Sequence, residues 1–469
     1  SLRTGIELEY SRLSADELTN NTGTFTFSTP ADYYANRPRQ FRRREGNPLV
    51  EYSNAEFGWY INDDIRLRKN VMMSVGLRYE AQSLLDDRTN FAPRAHVTWS
   101  PFKSAKTTFR AGGGIFYDWY DTGLYEDTLR VNGVNQKDII INSPCYPDPF
   151  ACGTQQAAAN PSIIQEAAYL VMPQVTRISV GMEHQVTSWM GMRLNFFRQD
   201  GTNQFRSLNI NAPVNGVRPI AGIDNISQIE SVGESKNYGI DVSANFNYAP
   251  KRIFSFLNYG YARNFNDGTA SSLPADSTNL AAEWGPSQGD MRHRIMWGIN
   301  APIAYGFRTN FNVRYQSAPP YTITTGFDLN NDGVFSNDRP AGLGRNTARG
   351  DDSINIDLRL GWNRGFGAPR TPVGPGGGVF RGGPGGGPGG GGGRGGRGGG
   401  GGGGGGPMMI MAGPGEQRRF NLEIFTQVNN LTNAVNYVGY SGVQTSSFFG
   451  LPNGAQPPRR IEIGTRLGF

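Results

Sequence analysis

The chain has no run of about 18 apolar residues, the length a helix needs to cross a membrane, so helical spans are excluded. It is poor in apolar residues altogether, at 37 % against about 45–50 % in ordinary soluble domains. At 469 residues it would normally form two or three soluble domains, but it lacks the apolar matter for several large cores. Cysteine is nearly absent. Cys145 and Cys152 stand seven positions apart with no CxxC or Cys/His spacing around them. That excludes zinc-ribbon and thioredoxin chemistry and leaves a small loop disulfide in an oxidising compartment, or two free thiols. Histidine is scarcer than its chemistry would need: His96, His184 and His293 lie on separate strands, without the spacing of a zinc hydrolase. No Gly-x-Ser-x-Gly elbow and no P-loop occur, so nothing points to an enzyme. The net charge of +6 is scattered along the chain and names no partner.

What is present is alternation. Phe420, Leu422, Ile424, Thr426 and Val428 alternate with Asn421, Glu423, Gln427 and Asn429. Ile354, Ile356, Leu358, Leu360 and Trp362 alternate with Asn355, Asp357, Arg359 and Asn363. Residues 238–248 and 73–80 behave alike, and the chain ends on Ile461, Ile463, Thr465, Leu467 and Phe469 against Glu462, Gly464, Arg466 and Gly468. A period of two marks strands with one apolar face. Such strands suit a soluble sandwich with the apolar face inward, or a transmembrane barrel with that face on lipid and the polar face on a wet lumen.

Loop lengths separate the two. Fourteen or so strands are expected: 2–11, 56–68, 70–82, 91–99, 106–117, 176–187, 190–200, 236–248, 254–266, 292–303, 307–325, 353–365, 418–431 and 459–469. The connections between them alternate short and long, as the periplasmic turns and external loops of outer-membrane barrels do. A sandwich has no reason to sort loop length by parity. Trp99, Trp189, Tyr248, Tyr305, Trp362 and Phe469 fall at the short-turn end, where an aromatic girdle would meet the headgroups. The expected class is therefore all-β: a transmembrane antiparallel up-and-down barrel. Residues 1–365 and 418–469 supply its strands. Residues 366–417, dominated by glycine with Arg381, Arg394 and Arg397, form a disordered periplasmic insertion. Three arginines in that tract, with few aromatics, are a weak signal for nucleic acid, and no nucleic-acid partner is expected.

Several blocks in order resemble the barrel of TonB-dependent receptors, especially the Oar-like group of Gram-negative bacteria. They are Trp59 to Asp64 followed by Asn70, Val71 and Gly76 to Glu80; Asn90 to Arg94; Arg110 to Asp118; Asn337-Asp338-Arg339-Pro340 with Arg345-Asn346-Thr347; Ile356 to Arg359; Phe425 through Asn430-Leu431-Thr432-Asn433; and the terminal Phe469. The likeness runs along nearly the whole chain apart from the glycine tract. It implies a 22-stranded barrel of which this chain is a C-terminal fragment, an N-terminal plug and TonB box outside it, and location in the outer membrane. It also implies Phe469 as a signal for the outer-membrane assembly machinery; by its position the residue is equally one more girdle aromatic.

One candidate site stands out in a loop. Asp328-Leu329-Asn330-Asn331-Asp332-Gly333 spaces oxygen side chains like the start of an EF-hand calcium loop. Its twelfth position holds Arg339 instead of Glu; Asp338 is the nearest substitute. Calcium on Asp328, Asn330, Asp332 and Asp338 competes with a plain Asx-rich turn. Gly112-Gly113-Gly114 mimics a phosphate loop, but no helix pattern follows, so a Gly-rich strand is expected. Aromatic and amide residues in the long loops, such as Trp119-Tyr120 and Tyr125, suit a siderophore, oligosaccharide or peptide as well as solvent. The functional expectation is import, or export, of a bulky solute with no required cofactor; a structural or adhesive outer-membrane protein is the alternative.

Overall fold

A computed structural model describes residues 1–151, 160–369 and 418–469. The glycine-rich stretch 370–417 and Cys152 lie outside them.

Among the described residues, fourteen long strands form one antiparallel meander. In chain order they are β1 (Leu2–Asp16), β2 (Leu49–Arg68), β3 (Val71–Gln82), β4 (Asn90–Trp99), β5 (Thr107–Tyr117), β6 (Gln174–Thr187), β7 (Met190–Asn209), β8 (Ile226–Tyr248), β9 (Ile253–Asn266), β10 (His293–Pro302), β11 (Phe307–Gln316), β12 (Ser353–Pro369), β13 (Arg418–Asn429) and β14 (Arg460–Gly468). Each pairs with its chain neighbour, from β1 with β2 through β13 with β14. This is the up-and-down barrel wall that the alternation and loop parity predict. Among the described residues, β1 and β14 are each paired on one side only.

Connections 69–70, 188–189, 249–252 and 303–306 are tight, and 100–106 is short; all lie at one end. At the other end are 17–48, 118–173, 210–225, 267–292, 317–352 and 430–459, with 83–89 the shortest. The register fixes the faces. Paired residues share a side, so Leu8 and Phe57, Val180 and Phe196, Val242 and Tyr259, and Leu358 and Val428 lie outward together. Polar pairs such as Asn195 with Asp241 and Asn312 with Asp357 lie inward. Outward apolar side chains are exposed, for example Leu8 at 73 % and Ile463 at 77 %, as a lipid-facing surface must be in a chain without its membrane. At the short-turn end Trp189 packs on Phe246 at 4.8 Å between ring centroids, and Trp99 on Phe109 at 5.8 Å. Trp362 Nε1 donates to the Tyr305 carbonyl at 3.1 Å. These contacts build the girdle.

The strands differ from expectation mainly at the loop end. β7 runs to Asn209 and β8 starts at Ile226, well past the limits 200 and 236. There the outward positions no longer face lipid, so apolar alternation stops while ladder hydrogen bonds continue. β11 instead ends at Gln316, because Pro319 and Pro320 follow and proline donates nothing to a ladder. β12 continues to Pro369, with Phe366 opposite Phe420, so the wall takes in four residues expected in the glycine insertion.

Among the described residues, the two packed apolar clusters lie at the loop end of the wall. Leu85, Tyr120, Leu170, Met172 and Ile229 form one cluster, and Phe41, Ile139 and Ile141 another. Short loop strands Thr24–Thr26, Gln40–Gly46, Gln136–Asn142 and Pro161–Glu166 pair in series, and the last pairs in parallel with the upper part of β8. The loops are thereby knitted into the same sheet as the wall.

Candidate functional site: a polar lumen beneath knitted loops

Among the described residues, the inward positions border a cavity of about 2250 Å³ that touches all fourteen strands. A sheet with one cavity against every strand has curled around it, so the inward face is a lumen. Its lining is polar and rich in arginine: Arg3, Arg94, Arg110, Arg177, Arg193 and Arg294 all border it. Several are neutralised in place. Behind the lining, Arg78 likewise bridges Glu7 and Glu80 at 2.6 and 2.7 Å. Glu183 receives Arg110 at 3.0 Å and Arg193 at 2.5 Å. Arg3 pairs with Asp64.

Arg94 and Arg177 are different. They flank the Phe116 ring from two strands, each guanidinium 4.8 Å from its centroid. Each Nε is buried with no hydrogen-bond partner, and among the described residues neither arginine is in an ion pair. The glycines make room for this. A Cβ on Gly114 would come within 2.7 Å of Arg94 Cβ, and one on Gly112 within 2.9 Å of His96 Cδ2. Gly112-Gly113-Gly114 is thus a strand segment whose two inward members, Gly112 and Gly114, leave space for an arginine pair. Sequence reasoning found the strand and missed the pair, because nothing in the spacing shows that Arg94 on β4 and Arg177 on β6 meet across β5.

Above the lumen, loop pairs are clamped by buried charges. Arg339 donates to both carboxylate oxygens of Glu283 at 3.0 and 2.7 Å, and Arg345 Nε donates to the Glu283 carbonyl at 3.0 Å. Asn346 Nδ2 donates to the Pro286 carbonyl at 2.8 Å. The blocks Asn337 to Pro340 and Arg345 to Thr347 therefore tie loop 317–352 onto loop 267–292. On the other side, Asp138 takes Arg44 at 3.0 Å and Arg42 at 2.7 Å. Burial works to raise its pKa, but hydrogen bonds and charge from Arg44 and Arg42 outweigh it and hold the carboxyl below its usual range. Glu166 accepts from the Tyr120 hydroxyl at 2.8 Å. Burial, with that carboxylate beside it, pushes the Tyr120 hydroxyl far up.

The turn 328–338 brings its expected residues together. Asp328 accepts from the Asp332 and Gly333 amides at 3.1 and 2.9 Å. Asp332 accepts from Val334 at 2.7 Å, and Asp338 from Leu329 at 2.6 Å. Asn330 Nδ2 reaches Asp332 at 3.2 Å and the Ala275 carbonyl at 3.0 Å. Desolvation, then the charges of Asp328 and Asp338, push Asp332 up to about 6. Among the described residues no group of three or more His, Cys, Asp or Glu is arranged to hold a metal ion. Cys145 lies in the loop 118–173, and its expected partner is outside the described residues. Phe469 follows β14 at the short-turn end, 84 % exposed.

The fold matches solved outer-membrane proteins. The outer membrane transporter YddB from Escherichia coli superposes with a TM-score of 0.57 at 12 % identity, over 98 % of this chain and 50 % of its own. The ferric enterobactin receptor PfeA in complex with BCV-L6 gives 0.53 at 12 %, over 99 % and 51 %. The FrpB iron transporter from Neisseria meningitidis gives 0.50 at 12 %, over 99 % and 52 %. The chain thus spans about half the length of these structures. No curated protein sequence matches it. The sequence profile of the outer membrane beta barrel domain matches residues 1–89 and 83–371. With the wall, the lumen and the outward apolar face in agreement, this is a protein of the outer membrane, and the chain belongs to the outer membrane beta barrel domain family.

Proposed function

We propose that the chain is the barrel part of a TonB-dependent transporter or receptor of the Oar-like kind, which moves a bulky solute across the outer membrane. The observation that carries this reading is the lumen: one polar cavity of about 2250 Å³ along the whole wall, roofed by loops that are themselves folded. A structure built only for anchoring or adhesion has no use for so large a wet interior. Siderophores, oligosaccharides and peptides are the candidate classes, since arginine and amide groups on the inner wall offer hydrogen bonds to carboxylates, hydroxyls and peptide groups. The chemistry is binding and release, with no covalent step. Energy comes from a TonB complex acting through a plug domain, and the assembly machinery reads Phe469.

Calcium in the turn 328–338 belongs to the same proposal. Asp328, Asp332 and Asp338 repel one another there, and a divalent cation would relieve that. A Cys145–Cys152 bridge would staple the tip of the loop 118–173.

Deletion of the gene, followed by a growth screen on solutes larger than about 600 Da, tests the transport reading. Loss of growth on one class, restored by the intact gene and not by one carrying Arg94→Gln and Arg177→Gln together, is expected. Undiminished uptake of every class on deletion would defeat it.

A further inference from the structure

The outer surface of three adjacent strands changes character within one row. From the short-turn end, the outward residues of β7 are Met190, Met192, Leu194 and Phe196, then Arg198 and Asp200. Those of β8 are Phe246, Ala244, Val242 and Ile240, then Tyr238 and Lys236. Those of β9 are Leu257, Tyr259 and Tyr261, then Arg263 and Phe265. The register sets Arg198 opposite Tyr238 and Tyr238 opposite Arg263; one row higher, Asp200 faces Lys236 and Lys236 faces Phe265. Their neighbours Gln199, Asn237 and Asn264 turn inward, so these side chains point away from the lumen.

Height fixes what they meet. Eight residues separate Met190 from Arg198, about 27 Å along a strand and roughly 20 Å along the membrane normal at the tilt of a barrel strand. The girdle of Trp189 and Tyr248 marks the inner interface. Arg198, Lys236 and Arg263 therefore stand at the headgroup level of the outer leaflet.

Three cations there share one carboxylate. Arg198 holds Asp200 at 2.7 and 3.2 Å. Lys236 and Arg263 have no ion pair among the described residues. Arg263 lies against the Tyr238 and Tyr261 side chains, and its Nε is buried without a partner. Beside Lys236, Phe265 stacks on Trp284 with 11° between ring planes. Acidic residues return only in the next row out, where the Glu234 amide is bonded to Asp267. Net positive charge, a guanidinium held by two tyrosines and a stacked aromatic pair at a membrane interface suit an oxyanion carried on a lipid.

We propose that Arg198, Lys236 and Arg263, with Tyr238, form an exterior site for the phosphate of an anionic lipid headgroup in the outer leaflet. The two arginines grip phosphate oxygens from either side of Tyr238, and Lys236 adds charge from above. The site is independent of whatever the lumen carries, so it stands or falls apart from the transport reading.

Lipid retention tests it. The protein, purified in detergent, is exchanged against phosphatidic acid or phosphatidylcholine, and bound lipid per protein is counted by native mass spectrometry. The wild type should retain about tenfold more phosphatidic acid than phosphatidylcholine. Arg198→Gln, Lys236→Gln and Arg263→Gln together should erase the preference, while Arg12→Gln, an outward cation of β1, should keep it. Asp200→Asn removes the one competing carboxylate and should raise retention about threefold, which reads the site even where the triple variant folds poorly. Equal retention of the two lipids by the wild type, no gain in Asp200→Asn, or displacement of the lipid by millimolar inorganic phosphate would each overturn the proposal.

Discussion

The Asp332 carboxyl is 3 % exposed, and burial together with Asp328 and Asp338 raises its pKa to about 6. Because the folded value lies above the ordinary one near 3.8, this group favours the folded turn fully below that ordinary value. The contribution is lost as pH rises through about 6. Its size is on the order of 2–3 kcal/mol at most. Hydrogen-exchange protection of residues 327–339 should therefore fall between pH 5 and pH 7, after correction for intrinsic exchange, and Asp332→Asn should flatten that dependence. Millimolar calcium at pH 7 should restore the wild-type protection if the cation is held, and leave the variant unmoved. Glu283 illustrates the opposite kind of buried carboxylate, one fully paired. Replacing it by Gln leaves Arg339 and Arg345 facing a neutral group in a buried setting, at a cost of roughly 3 kcal/mol. Limited proteolysis should then cut loops 267–292 and 317–352 faster, while the barrel strands keep their protection.

At the scale of the strand, facing and depth together decide what a substitution does. Leu358 lies outward near the middle of β12, opposite Phe311 and Val428. Arginine there should cost about 2–4 kcal/mol in a lipid folding assay. Asn355 on the same strand faces the lumen, and Asn355→Arg should be nearly silent. Leu422 is also outward, but its partner is Arg364, beyond the Trp362 girdle. Leu422→Arg should accordingly cost about 0–1 kcal/mol, as at an interface; equal penalties at Leu358 and Leu422 would contradict this depth. The contrast marks how far sequence reading reaches. Alternation assigned the face of both leucines, because period two is a local property. Depth is a property of the register with neighbouring strands, and it takes the pairing of Leu422 with Arg364 on β12 to place that leucine outside the girdle. The strand extensions above the membrane and the Arg94–Phe116–Arg177 stack were hidden for the same reason: each exists only across strands. The Arg339 and Arg345 blocks were visible as motifs, but their partner Glu283 lies more than fifty residues away.

For the molecule as a whole, the decisive feature is the pair of edges. β1 presents Ile6, Leu8 and Tyr10 outward at 71, 73 and 68 % exposure, and β14 presents Ile461 and Ile463 at 61 and 77 %. Beyond each lies a row of backbone N–H and C=O groups without ladder partners among the described residues. In hydrocarbon each such group costs several kcal/mol, and bare edges in water invite pairing between copies. The wall cannot rest in a bilayer with both edges open. The solved relatives are about twice as long as this chain, so their barrels have further sequence from which to cover such edges. The chain produced alone should instead satisfy its edges with those of other copies. Cysteines placed by Ile6→Cys and Ile463→Cys should cross-link between copies, giving ladders on a denaturing gel that grow with protein concentration. A concentration-independent bond within one copy would show that fourteen strands close on themselves, and would remove the reason to expect any further strand in this wall.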